Sequence, residues 1–302
     1  MTKQEEIQKL KEEMDAVILA HYYVRPEVQE VADCIGDSYF LSRKAVEMPN
    51  RTIVFCGVSF MGESAKLLNP DKTVLMPDAD ANCPMAHMVT EETVKKARQQ
   101  YEDLAVVCYI NSTAEIKSWS DVSVTSANAV RIVRNLPNKN ILFIPDRNLA
   151  HFVAQKVPEK NFIYNEGYCP IHENMREEEI RELKGQHPEA KVLVHPECTS
   201  KILELADYVG STSGIIDFAK DSEDKAFIIG TESGVRYALE HAREDAVFYF
   251  PETEPVCTDM KKITLEKIID VLKTGSHEVK MDNGQADEAA KRTLTRMLEL
   301  AQ

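Results

Sequence analysis

The sequence predicts an α/β protein of three similar three-layer α/β/α units, each with a small parallel sheet, arranged about a pseudo-threefold axis. Two observations carry this prediction. Several polar landmarks recur along the chain at intervals of 86 to 88 residues, which indicates one unit used three times. Between these landmarks, short apolar runs alternate with helical patterns across short links, as expected of parallel strands joined by right-handed crossovers.

The repeat is visible in three windows of eighteen residues that align without a gap. Each window opens on a polar aromatic residue, has an aspartate twelve positions later and a hydroxyl residue five positions after that. A cysteine follows the hydroxyl by 43 or 45 residues. In unit order these positions are His21, Tyr109 and His195; Asp33, Asp121 and Asp207; Ser38, Ser126 and Thr212; and Cys83, Cys169 and Cys257.

Apolar runs without alternation predict the strands, because strands of a parallel sheet are buried on both faces. Each unit contains three such runs and one shorter strand before the hydroxyl residue. The predicted strands are 16–20, 52–58 and 73–77, with a short one before Asp37; 105–110, 122–125, 141–145 and 162–166; and 191–195, 207–210, 226–230 and 247–251.

Amphipathic segments between the strands predict the helices. Ser38, Ser126 and Thr212 stand at helix starts and are expected to act as N-caps. Acidic-to-basic helices, 90–101 and 176–188, join one unit to the next. The other predicted helices are 3–14, 26–33, 38–48, 61–68, 147–157, 198–206, 232–243, 263–274 and 285–301, with further helices after Ser112, from Ser126 and after Thr212.

These elements predict three domains. The first unit is 1–86, the second 87–172 and the third 173–261, and the C-terminal helices in 262–302 are expected to pack on the first unit. A chain of 302 residues is long enough to bury several small cores. No linker of low complexity separates the units, so they are expected to pack as one body.

Composition predicts a cytoplasmic protein with neither a nucleic-acid nor a membrane partner. Asp and Glu number 50 against 36 Lys and Arg, which gives a net charge of −14, and no basic cluster offers a phosphate-backbone track. The N-terminal stretch lacks the apolar core of a signal peptide. No apolar run approaches the ~20 residues that cross a bilayer. Seven cysteines in such a chain argue against a disulfide framework.

The repeated landmarks are expected to form one site. Ligands of open parallel sheets bind beyond the carboxyl ends of the strands. In each unit the polar aromatic residue ends the first strand, the hydroxyl residue opens the helix after the second, and the cysteine follows the fourth. A pseudo-threefold arrangement would direct these three sheet edges at one shared axis.

Cys83, Cys169 and Cys257 are the predicted metal ligands. They include no CxxC pair, unlike a zinc knuckle, and three ligands for an iron–sulfur cube would leave one iron open, as in a catalytic site. A Cys₃His zinc site is an alternative, because His172 follows Cys169 by three residues and His87 follows Cys83 by four. We favour His172 as a residue that faces substrate and His87 as a surface residue.

The other cysteines are predicted to be structural. Cys56 and Cys108 lie inside strand runs, and Cys34 and Cys198 have no partner at the repeat period. The competing interpretation of the three repeated cysteines is that they too are small apolar residues near strand ends, and the shared period argues against it.

Anion binding and proton transfer are the chemistry expected around these thiols. Helix amino termini at one cavity present N–H donors and positive dipole ends, which would allow an acidic protein to bind carboxylates or phosphate. Tyr23 and Glu197 each stand two residues past a strand-end histidine and are candidate acid–base groups. The aspartates Asp33, Asp121 and Asp207 are predicted to be turn or helix-end residues.

These residues resemble the quinolinate synthase (NadA) family over nearly the whole chain. The similarity rests on LAHYY, PEVQ, GDS, YINSTAEIK, TSANA, NLAHFVA, HPEC and GSTSG and on the three separated cysteines. It implies a transferase that condenses iminoaspartate (iminosuccinate) with dihydroxyacetone phosphate to give quinolinate, phosphate and water. This reaction belongs to de novo NAD biosynthesis.

The resemblance also implies the roles of individual residues. Cys83, Cys169 and Cys257 would hold one [4Fe–4S] cluster per chain, with one iron open to substrate as a Lewis acid. The implied catalytic residues are Tyr23, Tyr109, His172, His195 and Glu197. The implied substrate-binding residues are His21, Ser38, Met61, Tyr109, Asn111, Ser126, His195, Glu197, Ser211 and Thr212.

Two further expectations follow from the family. An L-aspartate oxidase or an aspartate dehydrogenase would supply the iminoaspartate. One branch of the family has a CxxC near the last cluster cysteine that permits redox control. Cys257 stands alone in EPVCTDM, so that regulation is not expected here.

Two rival functions are compatible with the same residues. An aconitase-like hydro-lyase would use an open cluster on a single hydroxy acid. An electron carrier or cluster scaffold would not be an enzyme, but a carrier usually has a fully ligated cluster, and no fourth cysteine shares the repeat period.

Overall fold

The structure is a computed structural model that describes residues 2–282 and 284–301. Met1, Asn283 and Gln302, which the predicted ranges include, lie outside the described residues. No described helix combines the length and apolar composition of a membrane span.

Twelve strands are present in the described residues, and the predicted strands are confirmed. Long apolar runs such as the first strand are buried at every position, as expected for a parallel sheet covered on both faces. The strands are β1 (Ala16–His21), β2 (Cys34–Gly36), β3 (Thr52–Cys56), β4 (Thr73–Leu75), β5 (Leu104–Tyr109), β6 (Val122–Val124), β7 (Asn140–Ile144), β8 (Asn161–Tyr164), β9 (Lys191–Val194), β10 (Tyr208–Val209), β11 (Ala226–Gly230) and β12 (Val247–Tyr249).

Helices follow the strands closely, and two 3₁₀ turns, Pro84–His87 and Met260–Lys262, complete the described regular structure. The helices are α1 (Lys3–Glu13), α2 (Pro26–Glu30), α3 (Ser38–Glu47), α4 (Ser59–Leu68), α5 (Glu91–Gln100), α6 (Ala114–Ser118), α7 (Ala129–Asn135), α8 (Arg147–Lys156), α9 (Pro170–Glu173), α10 (Glu177–Gln186), α11 (Ser200–Leu203), α12 (Thr212–Asp221), α13 (Val235–Ala242), α14 (Leu265–Thr274) and α15 (Gln285–Leu300).

The strands form three four-stranded sheets with the same topology. The orders are β2-β1-β3-β4, β6-β5-β7-β8 and β10-β9-β11-β12, and all of the pairings are parallel. The α/β class with three small parallel sheets is therefore confirmed. The unit boundaries and the pseudo-threefold axis stay predictions.

The repeated aspartates have one structural role in all three sheets. Each carboxylate accepts a hydrogen bond from the backbone N–H of a residue in the first strand of its unit, at 2.7–2.9 Å. The backbone N–H of the same aspartate donates to the carbonyl of that strand residue. The pairs are Asp33 with Ile18, Asp121 with Val106 and Asp207 with Val192. Each pair fixes the turn before the second strand against the first.

The three repeated hydroxyls are not N-caps, so that prediction is wrong. Asp37 caps α3 by accepting from the N–H of Phe40 at 3.0 Å. Ser211 caps α12 in the same way. A cap must lie outside the helix so that its side chain can reach back to the second or third N–H. Ser38 and Thr212 are already the first helical residues, so their side chains are free for other contacts.

The start of α7 also differs from the prediction. The helix begins at Ala129, three residues after Ser126. Asn128 precedes it and uses its side chain to accept from the N–H of Thr125 at 2.7 Å. This turn places Ser126 at the carboxyl edge of the second sheet without involving its hydroxyl in a cap.

The C-terminal helices extend over two of the sheets. α14 packs on α1, whereas α15 packs on α4 and also on α6 and β6. Thr293 of α15 lies 2.8 Å from the hydroxyl of Ser123 in β6, and the apolar face of α15 is buried at Leu294 and Met297. The sequence prediction placed both helices on the first unit; α15 differs because its apolar face meets the first and second units together.

Candidate active site and metal centre

A central cavity lies where the carboxyl edges of the three sheets meet, with about 670 Å³ of empty space that includes its opening to solvent. Its wall includes the residue at the end of β1, the residue at the end of β5 and the residue directly after β9, which are His21, Tyr109 and His195. It also includes Cys83, Cys169 and Cys257. Every predicted site residue lines this cavity except two, Met61 and Ser211.

The two exceptions have local causes. Phe60 faces the cavity, and because successive helix residues are about 100° apart, Met61 turns into the core, where it is 3% exposed. The hydroxyl of Ser211 is used as the cap of α12, accepting from the N–H of Gly214 at 3.2 Å. The neighbouring Thr212 faces the cavity instead.

The three cavity cysteines reach the site from loops. Cys83 and Cys169 each precede a proline that opens a short helical turn, a position where the missing N–H of proline costs nothing. Burial raises the pKa of the Cys83 thiol to about 12 and that of Cys257 to about 11. Burial, together with the charge of Glu197, also raises the pKa of Cys169. Such thiols become thiolates when a metal replaces the proton.

A second set of donors adjoins the thiols. Ligand atoms of Cys169, His172 and Glu197 all lie within 4.8 Å of one another. Glu197 Oε1 and Asn111 Oδ1 are buried and have no hydrogen-bond partner among the described residues. Soft thiolates beside these unsatisfied oxygen acceptors fit a metal centre with a substrate next to it.

Two of the cavity histidines, His21 and His195, are each held in one tautomer. Nδ1 of His21 accepts from the backbone N–H of Tyr23 at 3.1 Å, and Nδ1 of His195 accepts from that of Glu197 at 3.3 Å. The proton of each neutral ring is therefore on Nε2. The Nε2–H group of His195 donates to Oγ of Ser126 at 3.2 Å.

Burial keeps these histidines uncharged. It lowers the pKa of His21 to about 4 and that of His195 to about 3. The 3.7 Å separation of His195 Nδ1 from Glu197 Oε2 is therefore not an ion pair at neutral pH. Both rings present a neutral N–H donor.

Glu197 lies at the centre of the polar contacts in the cavity. Its Oε2 lies 2.7 Å from Nδ1 of His172 and 3.7 Å from Nδ1 of His195. Burial opposes ionisation, but the ring of His195, which becomes charged only at low pH, and the close contact with His172 keep the pKa of Glu197 below its usual range. The side chain is thus a buried carboxylate, 3% exposed, with one free oxygen.

Two hydroxyl groups and the ring of His172 connect Tyr23 to this carboxylate. The Tyr23 hydroxyl lies 2.8 Å from Oγ1 of Thr231, which lies 2.9 Å from Nε2 of His172. Nδ1 of His172 lies 3.2 Å from Sγ of Cys169 and 2.7 Å from Oε2 of Glu197. The ring therefore contacts both a predicted metal ligand and the carboxylate. Burial raises the pKa of Tyr23 well above its ordinary value, so the phenol retains its proton.

Sequence reasoning missed several cavity residues. Glu232 lies two residues after β11 and lines the cavity, as does Asp37 between β2 and α3. Asp146 holds the place of Glu232 in the second unit, two residues after β7, and is fully buried. The strand-end rule that located the histidines finds these carboxylates too when it is applied to the second strand of the first unit and to the third strand of the second and third units.

The fold and the site together define a class: an α/β enzyme with a metal-capable centre built from three sheets. The family model described as quinolinate synthetase A protein (NadA) matches residues 5–299. The chain belongs to this family, which is iron–sulfur dependent and acts in NAD biosynthesis.

Curated relatives agree over almost their full length. A quinolinate synthase of Clostridioides difficile (strain 630) is 52% identical over 297 residues, covering 98% of this chain and 97% of the relative. One from Caldicellulosiruptor bescii is 50% identical, with 98% and 97% covered. One from Fusobacterium nucleatum subsp. nucleatum is 50% identical, with 98% of each covered.

Proposed function

We propose that this protein condenses iminoaspartate with dihydroxyacetone phosphate to give quinolinate, phosphate and water, as a step of de novo NAD biosynthesis. The observation that carries the proposal is the convergence of three thiols, one from each unit, on a cavity that also holds the Glu197 network. The names of the relatives support the choice of reaction.

Cys83, Cys169 and Cys257 would hold one [4Fe–4S] cluster with one iron free of protein ligands. When bound, the cluster supplies a Lewis acid for the loss of a hydroxyl group. The donor set supports this assignment, because three thiols from separate loops line the cavity.

Substrate anions would be bound mainly by neutral donors. His21 presents its Nε2–H group, whereas the Nε2–H of His195 donates to Ser126 and leaves the Ser126 hydroxyl proton for substrate. The first turns of α3 and α12 begin at the cavity residues Ser38 and Thr212. Helix amino termini stabilise carboxylates and phosphate without a formal charge. Asn111 and Ser126 would add side-chain donors, and the preorganised donors would exclude water from the bound substrates.

Proton transfer would centre on Glu197. Its Oε1 is ionised and has no partner among the described residues, so it is placed to accept a proton from substrate. Its lowered pKa makes it a weak base, so the proton would have to come from an acidified substrate group. His172 would orient the carboxylate through Nδ1, 2.7 Å from Oε2, and Tyr109 lines the same cavity. Tyr23 would deliver a proton to substrate and recover one along the path through Thr231 and His172.

The cellular setting is also part of the proposal. A cytoplasmic enzyme of this kind would receive iminoaspartate from an L-aspartate oxidase or an aspartate dehydrogenase, because an imine of this type hydrolyses readily in water. The two rival functions, a hydro-lyase and an electron carrier, are distinguished from this one by the following experiment.

The test is a reconstituted, anaerobic assay for quinolinate with the two substrates supplied together and separately. We expect product only with both. Turnover of a single hydroxy acid would indicate a hydro-lyase, and electron transfer without turnover would indicate a carrier. Cys83→Ser, Cys169→Ser and Cys257→Ser should each lose iron and activity, whereas Cys56→Ser and Cys108→Ser, at buried strand positions, should retain both. Wild-type iron content in any of the first three would refute the cluster assignment.

A further inference from the structure

Two of the three cavity cysteines have their backbone N–H bound by a side chain that is not itself a predicted ligand. The N–H of Cys83 donates to Oδ1 of Asn82 at 2.9 Å. The N–H of Cys257 donates to Oε1 of Glu232 at 3.0 Å. Neither acceptor belongs to the network around Glu197, so the proposed chemistry leaves both without a role.

Glu232 connects three segments of the cavity wall. It is fully buried; its Oε2 accepts from the N–H of Gly234 at 2.7 Å, and its Oε1 pairs with Nζ of Lys261 at 2.9 Å. The same Nζ donates to the carbonyl of Tyr23. One carboxylate therefore links the Cys257 loop, the start of α13 and, through Lys261, the loop that carries Tyr23.

The Cys257 loop requires such an anchor. Between the end of β12 at Tyr249 and the 3₁₀ turn at Met260 the chain has no regular structure. A ligand on a mobile loop loses conformational entropy when it binds a metal, and a preformed backbone hydrogen bond removes part of that cost in advance.

We propose that Glu232 and Asn82 are positioning residues that hold Cys257 and Cys83 in the conformation that binds the cluster. Glu232 acts with its cation Lys261 and ties this geometry to the Tyr23 loop. The inference rests on the proposed three-cysteine cluster, but its effect on the cysteines is present in the metal-free protein as well.

The same loop supplies a matched control. Glu179 is also a buried carboxylate, 7% exposed, and it binds the loop four residues before Cys257. Its Oε2 accepts from the N–H of Thr253 at 3.0 Å and its Oε1 from the hydroxyl at 2.7 Å. Glu179→Gln therefore disturbs the same loop by the same chemistry without touching a cysteine.

The experiment measures each cysteine separately in the metal-free full chain, by the rate of alkylation with iodoacetamide followed by peptide mass spectrometry. We expect Glu232→Gln to accelerate alkylation of Cys257 severalfold and to leave Cys83 and Cys169 at wild-type rates. Asn82→Ala should accelerate Cys83 alone. Glu179→Gln should change none of the three.

The loaded protein gives a second readout. After anaerobic reconstitution, Glu232→Gln should release iron to a chelator about tenfold faster than wild type, which corresponds to ~1.4 kcal/mol, and Glu179→Gln should match wild type. The amide of the Glu232→Gln variant can accept from only one of the two backbone N–H groups that the carboxylate satisfies. The EPR spectrum of the reduced Glu232→Gln protein should also shift, because the geometry at one ligand changes.

The outcomes separate this inference from the proposed function. A wild-type protein that takes up no iron overturns the cluster, and the alkylation pattern still decides the positioning roles. Equal acceleration at all three cysteines, or at none, overturns the positioning roles. If Glu232→Gln does not fold, the same alkylation measurements on Lys261→Gln and Asn82→Ala test the positioning roles. The Lys261 side chain is 20% exposed.

Discussion

Ser126 is a residue whose hydroxyl joins two units. Its Oγ accepts from Nε2 of His195, which follows a strand of another sheet, and it caps no helix. The side chain therefore contributes to the geometry of the cavity rather than to a helix start.

Ser126→Ala should leave the melting temperature close to that of wild type and raise KM about ten- to a hundredfold. The expected size is that of one hydrogen bond to a charged group, ~1.5–3 kcal/mol. Steady-state kinetics and thermal melting measure the two effects. Ser64→Ala is the control, because it removes a buried hydroxyl that bonds the carbonyl of Phe60 and should lower the melting temperature only. The reverse pattern would show that Ser126 is structural.

His21 predicts how stability depends on pH. Its pKa is about 4 in the folded protein because burial disfavours the charged ring, against about 6.5 when unfolded. The unfolded state thus binds more protons below pH 6.5, and the stabilisation present above that pH is lost as the pH falls toward 4. Through this residue, a fall from pH 7 to pH 5 should lower the free energy of unfolding by about 2 kcal/mol.

Urea unfolding of the metal-free protein checks this value. The free energy of unfolding of wild type should fall by about 2 kcal/mol more between pH 7 and pH 5 than that of His21→Asn, which cannot titrate. Parallel pH profiles for the two proteins would mean that His21 is not buried as a neutral ring.

At the scale of the elements, the repeated aspartates stabilise each sheet at the same place. In the second unit, Asp121 accepts from Val106 in β5 at 2.7 Å and is also bound by both carboxylate oxygens to the guanidinium of Arg98 in α5. The repeated aspartates therefore stabilise the fold of each unit, whereas the repeated cysteines line the cavity.

Asp121→Ala should lower the free energy of unfolding by about 1–3 kcal/mol, because it leaves the strand N–H of Val106 without its partner. KM and iron content per folded chain should stay at wild-type values, since Asp121 is not among the cavity-lining residues. Chemical denaturation and iron analysis measure both. Loss of iron at unchanged stability would contradict this separation of roles. Arg98→Gln is the milder companion, because it removes only the half-exposed partner of the pair.

At the scale of the whole molecule, one cavity depends on three sheets. Each sheet contributes a cysteine from the loop after its fourth strand, and no two of the three are close in sequence. α15 packs on α4 of the first unit and on α6 and β6 of the second.

The proposed cluster predicts sensitivity to air. An iron held by no thiolate should be lost faster than one in a fully ligated cluster, so activity should decay on aeration and return with ferrous iron, sulfide and a reductant. Assays before and after exposure, with iron content in parallel, check this. Full activity of aerated, metal-stripped protein would remove the Lewis-acid role.

Some of this structure was readable in the sequence because the governing interactions are local or periodic. Apolar runs such as 16–20 bury both faces of a strand wherever the strand is placed, so β1 and ten other strands are predicted with boundaries close to the observed ones, whereas β2 is predicted only as a short strand before Asp37. The period of the repeat identified Cys83, Cys169 and Cys257 without any knowledge of contacts, because equivalent positions in repeated units occupy equivalent places.

Other features were decided by tertiary structure, because they depend on which surfaces meet. The orientation of Met61 follows from the packing of α4, and the path from Tyr23 to Glu197 requires Thr231 and His172 from distant segments. Glu232 has no repeat partner of its own type; the burial of its charge beside Lys261 and the N–H of Cys257 exists only in the folded chain. The sequence by itself determined the units, the strands and the thiols; the packing of the units determined the hydrogen bonds among them, because those depend on distances that no local pattern encodes.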